Sequence, residues 1–161
     1  MQTFNEIADF GKKLASLDKM ENALSLIADE AKRLSNAERC SIFIVDNEDN
    51  MLWTKLSNGI GRIVIALDAG IVGDTYMKKE AQIVNNPYED PRFLPGIDKK
   101  SGFTTQNMLT VPIFNSKREV MGVMQLLNKL PSDFDEQDLD VLTFLANYIS
   151  GSLELVLMLD S

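Results

Sequence analysis

Between Asp68 and Lys129 the chain places, in order, a glycine-bounded helix start, a polar loop and an apolar hairpin. Gly70 and Gly73 bracket Ile71 and Val72, and glycines there permit a tight turn and close backbone approach. The amides of Ile71, Val72 and Gly73 at a helix start could bind an anion, such as a phosphate, without any basic side chain. Around this start the candidate binding groups are the polar residues Ser41, Asn58, Asp98, Ser101, Thr104, Thr105, Gln106 and Gln125. Gln125 is the sharpest, because it interrupts the apolar run VMGVMQLL (120 to 127). A buried amide without partners costs about 1–3 kcal/mol. Either Gln125 lines a ligand pocket, or strand alternation turns it toward a loop or solvent.

The chemistry available is that of binding. The chain contains no histidine, which removes histidine-activated nucleophiles, histidine general bases and histidine-ligated metals together. No catalytic residue, metal site or cofactor is expected. The single cysteine, Cys40, opens an apolar strand and reads as a buried structural thiol. Met108, Met121 and Met124 read as core gap-fillers, and Glu89-Asp90 before Pro91 as solvated loop charge.

Composition narrows the partners. With 16 basic and 24 acidic residues the formal charge is −8, which disfavours polymeric nucleic acid and anionic membrane surfaces. The 161 residues, 45% of them hydrophobic, suffice for one domain with a core of its own. No secretory signal opens the chain, so the expectation is a cytoplasmic protein. Val141 to Leu159 is apolar, but Asn147, Ser150, Ser152 and Glu154 interrupt it, and the expectation is a core or interface helix that does not span a membrane.

Several elements must hold these residues in place. Phe4, Ile7, Phe10, Leu14 and Leu17 recur at helical spacing, and Asp18 with Glu21 forms a capping box for a second helix. That helix carries Ala23, Leu24, Ile27, Ala28, Ala31 and Leu34 on one stripe and stops at Ser35-Asn36. SIFIV (41 to 45), DNEDN and MLWTKLS (51 to 57) read as a hairpin, Asn58-Gly59 as a break, and Arg62 to Ala66 as a third strand. A short helix over about 71 to 79 leads into a loop rich in Asn, Pro and Asp. Met108 to Asn115 and Glu119 to Asn128 flank a second hairpin, apolar enough to lie centrally in a sheet. Asp133 with Glu136 reads as the cap of a long last helix. In that helix Leu142, Leu145, Ile149, Ser152, Val156 and Leu159 fall at heptad spacing. The expectation is that this stripe serves both the sheet and a dimer seam, with Val156 and Leu159 beyond the domain core.

The ordered succession RCSIFIVD (39 to 46), DAGIVG, NNPYEDPRF, DKKSGFTTQNML and GVMQLLNK resembles the GAF domain family, most closely the regulatory GAF domains of cyclic-nucleotide phosphodiesterases and related adenylate cyclases. Asn128-Lys129 followed by Phe134 and Asp138 is similar to the family's Asn-Lys…Phe-x-x-x-Asp-Glu signature, with Leu139 in place of the final Glu. The resemblance implies an α/β (α+β) three-layer α/β/α sandwich with a central antiparallel sheet. The N- and C-terminal helices would pack on one face and a ligand lid, residues 85 to 107, on the other. The whole chain would be one domain, with N-terminal helices over 3–36, sheet and lid over 40–129 and a C-terminal helix over 134–159.

It further implies a non-catalytic sensor that binds a small molecule, most plausibly cyclic AMP or cyclic GMP, and relays the signal through its terminal helices, as a homodimer, to a downstream output domain. By resemblance the phosphate would rest on the amides of Ile71 and Val72, among side chains of Ser41, Asp98, Ser101, Thr105 and Gln125. Three positions depart from the cyclic-GMP pattern: Asn58 stands for Asp, Gln125 for Glu, and Leu94 for an aromatic residue over the ligand. Lys129 and Asp138 resemble a structural lock between the last strand and the last helix, an economical role for a pair separated by a proline-containing loop. A ligand-free dimerisation and relay module is the alternative. Methionine sulfoxide reduction, known in some family members, uses several cysteines, and a bilin site needs a lid Cys or His; neither set is present.

Overall fold

A computed structural model describes residues 2–15, 20–54 and 63–159. Two helices, α1 (Gln2–Ala15) and α2 (Met20–Ser35), precede strands β1 (Ala37–Asp46), β2 (Met51–Thr54) and β3 (Ile63–Ala66). Then come α3 (Gly70–Lys78), β4 (Gln82–Val84), a 3₁₀ turn at Pro87–Glu89, α4 (Pro95–Ser101), β5 (Met108–Phe114), β6 (Val120–Lys129) and α5 (Glu136–Leu159). α2 ends where Asn36 takes a left-handed φ of 58° and its carbonyl accepts from the Leu130 amide. Leu17, Asp18 and residues 55–62, including Asn58 and Gly59, lie outside the described residues.

The six strands run β3-β2-β1-β6-β5-β4, every neighbouring pair antiparallel. Because side chains alternate along a strand, the sheet has two chemically distinct faces. Cys40, Ile42 and Ile44 of β1, Leu109, Val111 and Ile113 of β5, and Met124 and Leu126 of β6 join one core cluster with α1, α2 and α5. Phe43, Leu52 and Val123 point the other way, beneath Val72 of α3. The fold is the expected antiparallel α+β sandwich, with the terminal helices on one face.

Two elements escape periodicity. β4 is three residues long, too short to show alternation, and α4 begins at Pro95 inside what reads as a polar loop. β1 starts at Ala37, not at Ser41. Ala37 and Arg39 pair with Lys129 and Leu127 of β6, and such ladder bonds are indifferent to the polar side chains of Glu38 and Arg39.

α5 corrects three expectations. Its cap is Asp135, not Asp133: the Asp138 amide donates to Asp135 Oδ1 at 2.9 Å and the Asp135 amide donates to Asp138 Oδ2 at 3.0 Å, a reciprocal box. Asp133 instead accepts from Asn107 Nδ2. The stripe Leu142, Leu145, Ile149 and Val156 is buried, with Val156 only 3% exposed, so Val156 belongs to the domain's own core, whereas Leu159, 64% exposed, lies beyond it as expected. A different line, Phe144, Tyr148, Gly151, Leu155 and Met158, runs at steps of four and three on the exposed side, with Gly11 of α1 against the Tyr148 ring. Finally, with 24 residues and an 18-residue stretch of mean hydropathy 1.5, α5 is by length and composition long and apolar enough to cross a membrane. Its interrupting polar residues do not prevent that by composition; what makes it a core helix here is the six-residue face it buries, Leu142 to Val156.

Val156→Glu is expected to cost about 3 kcal/mol or more in urea unfolding, as a charge placed in the core, whereas Leu155→Glu is expected to stay within about 0.5 kcal/mol of the parent. Equal, small effects would place Val156 at the surface.

Candidate functional site

On the α3 face the sheet and the β4–β5 segment enclose a cavity of about 60 Å³. Phe43, Gln125 and Leu127 form its floor, Ile71 and Val72 one wall, and Leu94, Ile97, Asp98 and Thr105 the cover. Ile71, Val72, Leu94, Asp98, Thr105 and Gln125, far apart in the chain, are thus brought to one place. Ser41 shares the face as the ladder partner of Gln125 but is not part of the cavity wall. Ser101 enters only as the last residue of α4, and Asn58 lies outside the described residues. Thr104 and Gln106 are exposed and serve the lid's attachment.

The start of α3 shows why its two glycines are needed. Gly70 has φ of +69°, and a Cβ on Gly73 would lie 2.5 Å from the Asp68 carbonyl carbon, inside the chain's own turn. Gly73 therefore closes a backbone turn, where the sequence suggested approach to a ligand. Its amide is also taken, donating to the Ala69 carbonyl at 2.9 Å. The Ile71 and Val72 amides make no hydrogen bond outside the helix among the described residues, as expected of a first turn. Leu94 lies over Gly70, within 3.0 Å of where a Cβ would stand, and covers this start with a methyl group.

Polar residues on this face are ordered by register. Ser41 pairs with Gln125, Gln125 with Thr110, and Thr110 with Gln82, so one polar side chain per strand crosses four strands on one line. The Thr110 hydroxyl meets that of Thr75 on α3 at 2.6 Å, both fully buried, and Gln82 Nε2 donates to Thr75 Oγ1 at 2.9 Å. Gln125, only partly buried, presents its amide to the cavity and makes no side-chain hydrogen bond among the described residues.

Asp98 is not an open acceptor. Its carboxylate takes the Tyr88 hydroxyl at 2.6 Å, the Thr105 amide at 2.8 Å and the Thr105 hydroxyl at 2.8 Å, stapling the 3₁₀ turn, α4 and the approach to β5 into one body. The hydrogen bond to that carboxylate raises the Tyr88 pKa.

A second cluster went unnoticed in the sequence. Arg92 donates Nε to Asp90 Oδ1 at 2.9 Å, Nη2 to Asp90 Oδ2 at 2.6 Å, and Nη1 to both Asp74 Oδ2 and Gln82 Oε1 at 2.6 Å. Asp90, read as solvated loop charge, is a bidentate ion-pair partner. The signal was present as Asp90-Pro91-Arg92, where a proline-fixed turn lets two charges face each other. The Arg92 hydrogen bonds hold Asp90 down at about 2. Burial pushes Asp74 up, but hydrogen bonds from Gln82, Lys78 and Arg92 outweigh it and leave Asp74 below its ordinary value.

Asn128 attaches the other end of the segment. Buried and left-handed at φ of 61°, it accepts the Gln106 amide at 2.6 Å and donates Nδ2 to the Thr104 carbonyl at 2.9 Å. Lys129 Nζ then reaches Asp138 Oδ2 at 2.5 Å, both side chains nearly buried, and so ties β6 to the cap of α5, while Phe134 fills the core between them. Cys40 is buried, and that burial pushes its thiol up to about 12, far from a reactive thiolate.

A profile of the GAF domain matches residues 19–153. The chain belongs to the GAF domain family. Among curated relatives it is 29% identical over 148 residues to a probable 3',5'-cyclic phosphodiesterase of Caenorhabditis elegans, covering 83% of this chain and 20% of that protein. It is 36% identical over 124 residues to a dual 3',5'-cyclic-AMP and -GMP phosphodiesterase 11A of Takifugu rubripes, covering 66% of this chain and 14% of the relative. The domain thus spans a fifth or less of the curated relatives it matches. In fold it is similar to the GAF domain of an Acinetobacter phosphoenolpyruvate-protein phosphotransferase, with a TM-score of 0.79 at 21% identity over 96% of this chain and 94% of that one. It is also similar to a Neisseria meningitidis free methionine-R-sulfoxide reductase, with a TM-score of 0.77 at 17% identity over 94% and 88%. The homology is to GAF-containing signalling proteins, and supports a regulatory, sensing role for this GAF domain.

Two outcomes follow. A carboxylate with a depressed pKa adds stability above its unfolded value of 3.8 and loses it as pH falls through the folded value. The difference in thermal midpoint between the parent and Arg92→Gln is therefore expected to shrink as pH drops from about 4 to about 2; a difference constant with pH would contradict the pairing. For Lys129 and Asp138, a cycle of Lys129→Met and Asp138→Asn is expected to give a coupling of about 1 kcal/mol or more, and strict additivity would deny the clamp.

Proposed function

We propose that this GAF domain is a non-catalytic small-molecule sensor that binds a cyclic nucleotide, cyclic AMP or cyclic GMP, and relays occupancy through its terminal helices to an output domain. The observation that carries the reading is the convergence, on one cavity, of the Ile71 and Val72 amides and the Gln125 amide, none of which has a hydrogen-bond partner outside its own element among the described residues. One suits a phosphate and the other a base edge. Thr105 and Asp98 would hold the cover in place, and Ser41 would stand behind Gln125. The kinship to cyclic-nucleotide phosphodiesterases supports the same ligand class.

Ligand pockets for drug-sized molecules run to about 300 Å³ or more, so the cavity of about 60 Å³ must widen before a nucleotide enters. That small volume, with Leu94 seated on Gly70, favours the second reading, a ligand-free dimerisation and relay module. In either case we propose a homodimer through α1 and α5, now along Phe144, Tyr148, Gly151, Leu155 and Met158, in a cytoplasmic protein without a nucleic-acid or membrane partner.

Ligand that binds only the folded state adds about 2.7 kcal/mol at a hundredfold excess over Kd. Cyclic AMP or cyclic GMP at millimolar concentration is therefore expected to raise the thermal midpoint, and Gln125→Leu to abolish the rise without unfolding the domain. No rise with either nucleotide or a cyclic dinucleotide would leave the relay module, and a normal rise in Gln125→Leu would remove Gln125 from the site.

A further inference from the structure

Arg39 is a half-buried cation without a carboxylate partner among the described residues. Arg33 has Glu6 and Glu30, Arg92 has Asp74 and Asp90, and Lys129 has Asp138. The Arg39 guanidinium makes neither an ion pair nor a hydrogen bond there, although the chain carries 24 acidic residues against 16 basic ones. It stands instead over an aromatic face, with Cζ 3.8 Å from the centroid of the Phe103 ring, in the segment that covers the cavity. A cation–π contact satisfies the charge in part but spends none of the five N–H donors as conventional hydrogen bonds.

Its place in the sheet points those donors at the site. Cys40 belongs to the helical core, so strand alternation turns Arg39 and Ser41 to the cavity face. The register sets Arg39 opposite Leu127 and Ser41 opposite Gln125. Leu127 and Gln125 line the cavity, and Arg39 stands one strand beyond that wall. On its other side Leu127 packs on the cluster of Ile71 and Met108, so the start of α3, Leu127 and Arg39 follow one another across the sheet. The cavity of about 60 Å³ must widen to take a nucleotide. Toward β5 the floor is closed, since Thr110 is fully buried against Thr75. Toward β1 the next side chains on this face are Ser41 and Arg39.

A guanidinium offers donors only, held in a planar fork, and its match is an edge with two acceptors. Guanine presents that edge in O6 and N7, whereas adenine sets N7 beside the N6 amino group, a donor. Gln125 carries both a donor and an acceptor and can serve either base. We propose that Arg39 is a specificity-determining residue of this site: its guanidinium, backed by Phe103, takes the O6 and N7 edge of guanine while the phosphate rests at the start of α3. This rests on the reading of the cavity as a cyclic-nucleotide site, and assigns the choice between its two candidate ligands to a residue outside the present wall. Cyclic GMP is accepted, and cyclic AMP is disfavoured because its amino group would meet a donor with a donor.

Isothermal titration calorimetry of the whole chain with each nucleotide tests this. The parent is expected to bind cyclic GMP about tenfold or more tightly than cyclic AMP, as one bidentate contact discriminates. Arg39→Gln, whose amide matches the N6 and N7 edge of adenine, is expected to erase that preference or turn it toward cyclic AMP. Arg39→Lys keeps the charge but not the fork, and is expected to lose most of the preference. Phe103→Leu removes the backing and leaves the fork, and should weaken both nucleotides while keeping their ratio. The ratio of the two affinities is the readout, because a merely structural role for Arg39 would lower both together. An equal loss for both nucleotides in Arg39→Gln therefore overturns the proposal, as does an unchanged ratio. A parent that binds both alike, or cyclic AMP better, leaves the cyclic-nucleotide reading standing and overturns the role of Arg39. A parent that binds neither fails the cyclic-nucleotide reading itself, and this inference with it.

Discussion

Everything in the site depends on the registration of β1, β6 and β5. Seven residue pairs join β1 to β6 and seven join β6 to β5, and the two-residue period of a strand means that a slip of one would exchange the faces. Gln125 would then enter the helical core, and Leu126 and Met124 would line the cavity. Burial specifies the register from both sides: Ile42, Leu109, Met124 and Leu126 are fully buried against the helices, and Phe43 and Val123 against α3. The polar line Ser41–Gln125–Thr110–Gln82 is a by-product of that registration. It forms because each of the four strands places a polar residue at the same level.

Upon this sheet the two faces are held by different physics. The helical face is apolar almost throughout and closes by burial, with α5 covering β5 and α2 packing on β1. The cavity face is closed by side-chain hydrogen bonds from Asn128, Asp98 and Arg92, with small apolar contacts from Phe93 and Leu94. Burial of apolar area is large and hard to undo in part, whereas a few polar contacts near water exchange at little net cost. The Lys129–Asp138 contact and the Asp135 cap stand at the junction of the two, since they join the end of β6, one residue from Asn128, to the start of α5.

Much of this was legible in the chain. The apolar runs SIFIV and VMGVMQLL read as strands, and the structure sets them side by side with Ser41 opposite Gln125. The glycines of DAGIVG mark a helix start, though the constraint on Gly73 turns out to be its own preceding backbone. Arg92 was not legible, because a charged residue in a polar loop carries no periodicity, and its partners Asp74 and Gln82 lie 18 and 10 residues away. β4 was too short to announce itself, and the cap of α5 was displaced by two residues because DFDEQD offers more than one acidic residue at suitable spacing.

By itself the sequence determined most of the elements and the family, since local periodicity and ordered motifs depend on residues near one another. It also determined the absence of histidine chemistry, which composition alone decides. Tertiary structure decided which apolar stripe of α5 is core and which is exposed, because both stripes satisfy the same spacing and only the sheet beneath selects one. It decided as well that Asp98 is saturated by Tyr88 and Thr105 while Gln125 is left to the cavity. Both residues are polar, and whether a polar group is free or satisfied depends on what other segments bring within hydrogen-bonding distance.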